Sequence, residues 1–307
     1  MLKGRTLNLS STLGIIAPSS YENNDIINDN IAKFISLGFN VKLGDYIYHK
    51  YNFFAGCDLN RAQDITDMFL DSSIDGILCL RGGYGSIRTL PYLDKDILIN
   101  NPKFFCGFSD ITVLINYFAS LGIITFHGPM INSNFNDKIT LESFLDVTTC
   151  SKSQYVYDLN KYTSISYINP GSFSGKIIGG NLSIICSLIG TPYEIDTTDS
   201  ILFIEDVNQD PYTIDRMITQ LIASHIIDGC NGIIVGYLSN DRYYNTNTSK
   251  VVLEKTVIDA LIHLNIPIII GFPFGHNYPN LTIPIGTYAT YCEETRLLKI
   301  NDSFLIQ

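Results

Sequence analysis

The 307 residues are 46% hydrophobic and only 16% charged, which excludes a disordered chain and suits buried parallel strands. A formal net charge of -10 argues against non-specific nucleic-acid binding, which needs Lys and Arg to neutralise phosphates. Seven cysteines, odd in number and without a Cys-x-x-Cys pair, read as free thiols of a reducing compartment, with no disulfide framework and no metal site.

The length favours two domains, each able to bury its own core. At the start of the chain, Asn8, Ser10, Ser11 and Thr12 interrupt any signal-peptide apolar core. No apolar run reaches the roughly 18 residues of a membrane span, so a cytoplasmic protein with no membrane partner is expected. From Leu13 to about residue 150, short apolar runs alternate with amphipathic segments, the pattern of βα units. Strands are predicted at Leu13 to Ala17, Asn40 to Leu43, Gly76 to Leu80, Lys103 to Cys106 and Ile123 to Phe126. Helices are predicted at Asn24 to Leu37 and Leu59 to Leu70, the second with Asp58 as N-cap. Residues 1-150 therefore read as a flavodoxin-like α/β domain with a parallel sheet.

The polar stretch 151-172, ending in Asn169-Pro170-Gly171, reads as the domain linker. Beyond it, residues 173-307 read as a smaller mixed α/β domain. Its helices are predicted at Leu182 to Ile189 and Tyr212 to Ser224, and its strands at Ile201 to Ile204, Gly232 to Val235 and Ile266 to Ile270. A terminal hairpin is predicted from Thr287 to Cys292 and Arg296 to Ile300.

Three reactive residues follow strand-like runs: Ser109 in Gly107-Phe108-Ser109-Asp110, Glu205 in Ile204-Glu205-Asp206, and His276 in Gly275-His276-Asn277. Ligands of open α/β sheets bind at the carboxyl ends of strands, so the three suit one serine-hydrolase site of nucleophile, acid and base. Gly107 to Ile111 resembles a nucleophile elbow but has Ile111 where the final Gly of Gly-x-Ser-x-Gly stands. From that segment alone, Ser109 as an N-cap with Asp110 on the helix dipole is the stronger reading.

The loop Arg81-Gly82-Gly83-Tyr84-Gly85 lacks the Lys-Ser/Thr of a phosphate-binding loop. It is either a tight turn or a backbone donor to an oxyanion, paired with the N-H of Asp110. His127 competes with His276 as base and Asp206 competes with Glu205 as acid, although neighbours on a strand face opposite ways and only one acid can serve. Asn181 is either a site-lining residue or a helix cap. Arg81 and Arg88 are candidates for binding a substrate carboxylate, or else surface charges or structural pairs.

Taken with Gly14-Ile15-Ile16-Ala17-Pro18-Ser19, Phe126-His127-Gly128-Pro129, Gly179-Gly180-Asn181-Leu182 and Gly271-Phe272-Pro273-Phe274-Gly275-His276, these motifs span nearly the whole chain. In order and spacing the sequence resembles the LD-carboxypeptidase family of serine peptidases, which includes muramoyl-tetrapeptide carboxypeptidases and microcin C resistance hydrolases. The resemblance implies Ser109 as nucleophile, His276 as general base and Glu205 as the acid orienting it. It further implies an oxyanion hole from the backbone N-H groups of Asp110 and Gly83, no cofactor and no metal, an active site between the two domains, and a homodimer. His127, Arg81 and Asn181 are then possible substrate-lining residues.

The implied activity is release of a terminal D-amino acid, D-alanine in the first instance, from a murein tetrapeptide during cell-wall recycling. A microcin-type hydrolase of aminoacyl nucleotides is the alternative within the family, weakened slightly by the absence of Trp for stacking on a base. A non-catalytic peptide- or sugar-binding protein and a nucleotide-binding transferase are alternatives from other classes.

Overall fold

Two sets of apolar strands build two sheets, each around its own core. A computed structural model describes residues 1–150, 154–239 and 247–306. The chain divides into one unit of Met1–Ser153, Leu281–Gly286 and Ser303–Gln307, and a second of Gln154–Asn280 and Thr287–Asp302.

In the first unit, β1 (Thr12–Ile16), β2 (Asn40–Leu43), β3 (Gly76–Cys79), β4 (Phe104–Gly107) and β5 (Thr125–His127) are parallel in the order β5-β4-β3-β1-β2. That is the doubly wound, flavodoxin-like order. β3 and β4 are buried at every position, which is why they read as unbroken apolar runs and not as alternating ones. Their neighbours are α1 (Asn24–Ser36), α2 (Asp58–Leu70), α3 (Lys95–Asn100), α4 (Thr112–Ser120) and α5 (Lys138–Thr148). Phe104 stacks on Phe126 with ring centroids 4.5 Å apart, and Phe105 meets Phe118 edge-on at 4.9 Å. Such pairs contribute about 0.5–1.5 kcal/mol each beyond the area they bury.

Asp58 does not cap α2 as expected. Cys57 holds the N-cap position without a side-chain bond, and Asp58 turns instead to Arg61 and Arg88. The charge partners outcompete the orphan amides at the helix start.

In the second unit come β6 (Tyr155–Asp158), β7 (Ser166–Ile168), β8 (Phe173–Asn181), α6 (Leu182–Leu188), β9 (Ser200–Val207), α7 (Pro211–Ala223), β10 (Cys230–Ser239), α8 (Asn247–Leu261) and β11 (Ile268–Ile270). The stretch 151–172 is therefore no linker where it is described. Residues 154–172 carry β6 and β7 at the sheet's two edges, and residues 151–153 lie outside the described residues. Edge strands face water on one side, so their polar composition hid them.

β12 (Ile283–Ile285) then returns to the first unit and pairs antiparallel with β5, from Ile283 opposite His127 to Ile285 opposite Thr125. The second domain is thus not continuous from residue 173 to the end. Pro284 lacks an amide donor, which suits the end position of β12 in the six-stranded order β12-β5-β4-β3-β1-β2.

β13 (Tyr288–Cys292) and β14 (Leu297–Ile300) form the expected hairpin in the second sheet, ordered β6-β14-β13-β8-β9-β10-β11-β7. Its β8, β9, β10 and β11 are parallel. Among the described residues no helix is long and apolar enough to cross a membrane.

Candidate active site

The first unit holds the serine. β1 has β2 on one side and β3 on the other, so the order reverses between β1 and β3, the switch point at whose carboxyl ends such sheets bind their ligands. Ser109 sits just beyond β4, at the same end. Its backbone is left-handed, with φ of 66°, and it makes no N-cap bond, because Phe108 occupies the position before the helical turn. The N-cap reading therefore fails. A β-carbon in this region costs roughly 1–2 kcal/mol, the cost expected where a sharp strand-to-helix turn presents a nucleophile.

Gly82 faces this serine directly. A Cβ there would lie 2.7 Å from Ser109 Cβ and 2.8 Å from its Oγ, so no larger residue fits without moving the hydroxyl. Gly83, with φ of 123°, lies against Ser20 instead, where a Cβ would come within 2.6 Å of Ser20 Cβ. The loop beside the serine thus brings two glycines with different duties. Sequence reasoning chose Gly83 within this loop for its amide; the room for the serine hydroxyl comes from Gly82.

Asp110 is 2% exposed and is engaged as a clamp, not as a helix-dipole charge. Its Oδ2 accepts from Ser19 Oγ at 2.5 Å and from the Ser86 amide at 2.8 Å, and its carbonyl accepts from Ser86 Oγ at 2.7 Å. Its own amide follows the serine directly in the chain, where an oxyanion donor belongs.

Arg81 donates from Nη1 to Glu22 Oε2 at 2.8 Å and to the Tyr21 carbonyl at 3.4 Å, and Nε donates to the Gly82 carbonyl at 3.3 Å. Arg88 is held by Asp58 through Nε at 3.0 Å and Nη2 at 2.8 Å. His127, on β5, is buried with its ring 5.7 Å from that of Phe108.

The second unit holds the acid and the imidazole. Glu205 and Asp206 point to opposite sides of β9, as alternation requires. Glu205 is fully buried, its Oε2 2.7 Å from His276 Nδ1 and its Oε1 accepting from Asn181 Nδ2 at 3.3 Å. Asp206 Oδ2 accepts from the amide and the hydroxyl of Ser183, both at 2.7 Å. Asn181 therefore does two things: its Oδ1 caps α6 at the Ile184 amide, 3.2 Å away, and its amide nitrogen braces the acid.

The Gly179-Gly180 pair lies within β8, just before its last residue Asn181. Gly179, with φ of 118°, lies so close to β9 that a Cβ would meet the Phe203 amide nitrogen at 2.9 Å. Gly275, with φ of 105°, likewise makes room for the acid, since a Cβ there would stand 2.8 Å from Glu205 Cβ.

Burial pushes the His276 pKa down, but the charge of Glu205, its hydrogen bond and the charge of Asp206 outweigh this, and the net shift is upward from 6.5. With Nδ1–H given to Glu205, the proton-accepting lone pair of the neutral ring is on Nε2. Asp206 is itself held above the ordinary carboxylate range, chiefly by burial, against the opposing hydrogen bonds of Ser183.

Residues 13–128 match the family model described as LD-carboxypeptidase N-terminal domain, and residues 174–291 match that of the LD-carboxypeptidase C-terminal domain. A probable murein peptide carboxypeptidase of Bacillus subtilis (strain 168) is 34% identical over 292 residues, covering 94% of this chain and 90% of the relative. Among solved structures, MccF in complex with glutamyl sulfamoyl guanosine superposes with a TM-score of 0.87 at 25% identity, covering 99% of this chain and 100% of that one. A muramoyltetrapeptide carboxypeptidase from Oxalobacter formigenes superposes with a TM-score of 0.82 at 28% identity, covering 97% and 100%.

Proposed function

Because the chain belongs to the LD-carboxypeptidase family of serine peptidases, we propose that it hydrolyses an L,D peptide bond and releases the terminal D-amino acid, D-alanine in the first instance, from a murein tetrapeptide. The observation that carries this reading is Ser109, held in a left-handed conformation beyond β4 with Gly82 against its hydroxyl. Ser109 is the nucleophile, His276 the general base and Glu205 the acid that fixes the imidazole.

Neutral His276 accepts the Ser109 proton at Nε2 as Oγ attacks the scissile carbonyl. The resulting oxyanion is met by the amides of Asp110 and Gly83, and the imidazolium returns the proton to the leaving amine. Water, activated by the same imidazole, then cleaves the acyl-enzyme. The mechanism requires Ser109 Oγ to reach His276 Nε2.

An exopeptidase also reads a free carboxylate. Arg81 fits that task, because its side chain is 36% exposed and it adjoins the Gly82-Gly83 loop. His127 and Asn181 contribute as supports, behind Phe108 and Glu205 respectively. The setting proposed is cytoplasmic cell-wall recycling by a homodimer, without metal or cofactor.

Incubation with murein tetrapeptide and mass spectrometry of the products tests the substrate. Loss of one D-alanine, with the tripeptide left uncut, is the expected outcome. The MccF likeness favours one rival, an aminoacyl sulfamoyl nucleoside. Cleavage of such a compound with no D-alanine release from the tetrapeptide would replace the peptide reading with that one.

A further inference from the structure

Arg61 lies on α2, far in sequence from every residue assigned a role above, and is 1% exposed. Its Nη1 donates to the Pro18 carbonyl at 2.5 Å and to the Gly85 carbonyl at 2.7 Å, while Nη2 pairs with Asp58. The guanidinium carbon stands 4.7 Å from the centroid of the Phe54 ring. Burying a guanidinium is costly, and Nε finds no hydrogen-bond partner among the described residues. An apolar side chain would fill the same space at less cost, so stability alone is a poor account of an arginine here.

What the fork holds is more telling. Pro18 opens the turn Pro18-Ser19-Ser20 after β1, and Gly85 closes the loop that begins with Gly82. These two segments meet again at the nucleophile's neighbour, where Ser19 Oγ and the Ser86 amide both donate to Asp110 Oδ2. Between those points Ser20 Oγ accepts the Tyr84 amide at 3.2 Å. Gly85, with φ of 112°, lies on Arg61 and Phe54, where a Cβ would meet Phe54 Cδ1 at 2.7 Å and Arg61 Nη1 at 3.2 Å. The loop is therefore fastened at both ends: by Arg61 at Gly85, and by the Asp110 bracket at Ser86.

We infer that Arg61 is a positioning residue which, through the carbonyls of Pro18 and Gly85, holds the Gly82–Gly85 loop against Ser109 and so sets the aim of the oxyanion donors. The inference rests on Ser109 being the nucleophile. Lysine keeps the charge but is a single point donor, so it does not span two carbonyls and a carboxylate at once. An error on the order of 1 Å in a catalytic group costs about 100-fold.

Arg61→Lys and the parent are compared by amide hydrogen exchange and by kcat and KM on murein tetrapeptide. The expected result is exchange of the amides of residues 83–86 at least tenfold faster, unchanged exchange in β3 and β4, and kcat about 10- to 100-fold lower with KM within about threefold. Loop exchange and kcat both within twofold of the parent would overturn the inference, as would faster exchange spread evenly over the first unit. If the parent cuts no tetrapeptide, the substrate reading fails, and the exchange comparison still decides the role of Arg61. Should Arg61→Lys fail to fold, Arg61→Gln, which keeps a donor but loses the fork that spans both carbonyls, is read by the same criteria.

Discussion

Replacement of Ser109 by Ala is expected to lower kcat/KM for the tetrapeptide by a factor on the order of 10⁴ to 10⁶, because the acyl-enzyme route is lost while binding and the oxyanion donors persist. A serine kept only to cap a helix would cost about 1 kcal/mol of stability on removal and nothing in rate. The structure gives it no cap to lose, since Ser109 is the first residue of the helical turn and Phe108 holds the N-cap position before it. Ser109→Gly removes both the hydroxyl and the left-handed penalty, and is expected to be equally inactive while melting above Ser109→Ala. Stopped assays and thermal melts on the three proteins check both parts. His276→Ala should cost a comparable factor, and the double variant little more than either alone, since the two act as one unit.

The second large effect is in the pH profile. Burial lowers the His276 pKa, but Glu205, with Asp206 behind it, raises it by more, so the acid limb of kcat/KM is expected above 6.5. In Glu205→Gln the attraction is gone and burial is opposed mainly by Asp206, so the limb moves down. The plateau also falls, by a factor on the order of 10³ to 10⁴, because the Gln amide is free to donate to Nδ1 and turn the imidazole to the wrong tautomer.

Stability runs the other way. A folded-state pKa above the unfolded one means that the Glu205–His276 pair contributes fully below 6.5, and that this contribution is lost as pH rises through the raised value. Activity therefore appears in the window where the pair's support for the fold fades. Rate profiles from pH 5 to 9, with melts at the same pH values, test this. An acid limb at or below 6.5 that Glu205→Gln leaves in place would contradict it.

Much of this was legible in the chain. The apolar runs at β3 and β4 stood out because parallel strands covered on both faces carry no polar residues, and the split between Glu205 and Asp206 followed from strand alternation alone. Other features stayed hidden for physical reasons. β6 and β7 are edge strands with polar faces and passed for a linker. β12 is three residues long, contains Pro284 and belongs to a sheet begun almost the whole chain earlier.

At the site, the local sequence of Ser109 fits a helix cap as well as a nucleophile, and only its backbone conformation separates them. Arg61 carried a usable signal: it shares the inward face of α2 with Ile65, Met68 and Phe69, a position at which a charge needs a reason. The carbonyls that give the reason come from two other loops, and no periodicity reports on those.

The central claim is that Ser109 is activated by His276, and it is tested most directly by a fluorophosphonate, which modifies an activated serine whatever the natural substrate. The rate of adduct formation would be followed by intact mass and peptide mapping across pH 5 to 9. The account predicts one adduct, on Ser109, with a rate that rises through a pKa above 6.5 and collapses in His276→Ala. An adduct elsewhere, or a Ser109 rate indifferent to the loss of His276, would contradict it.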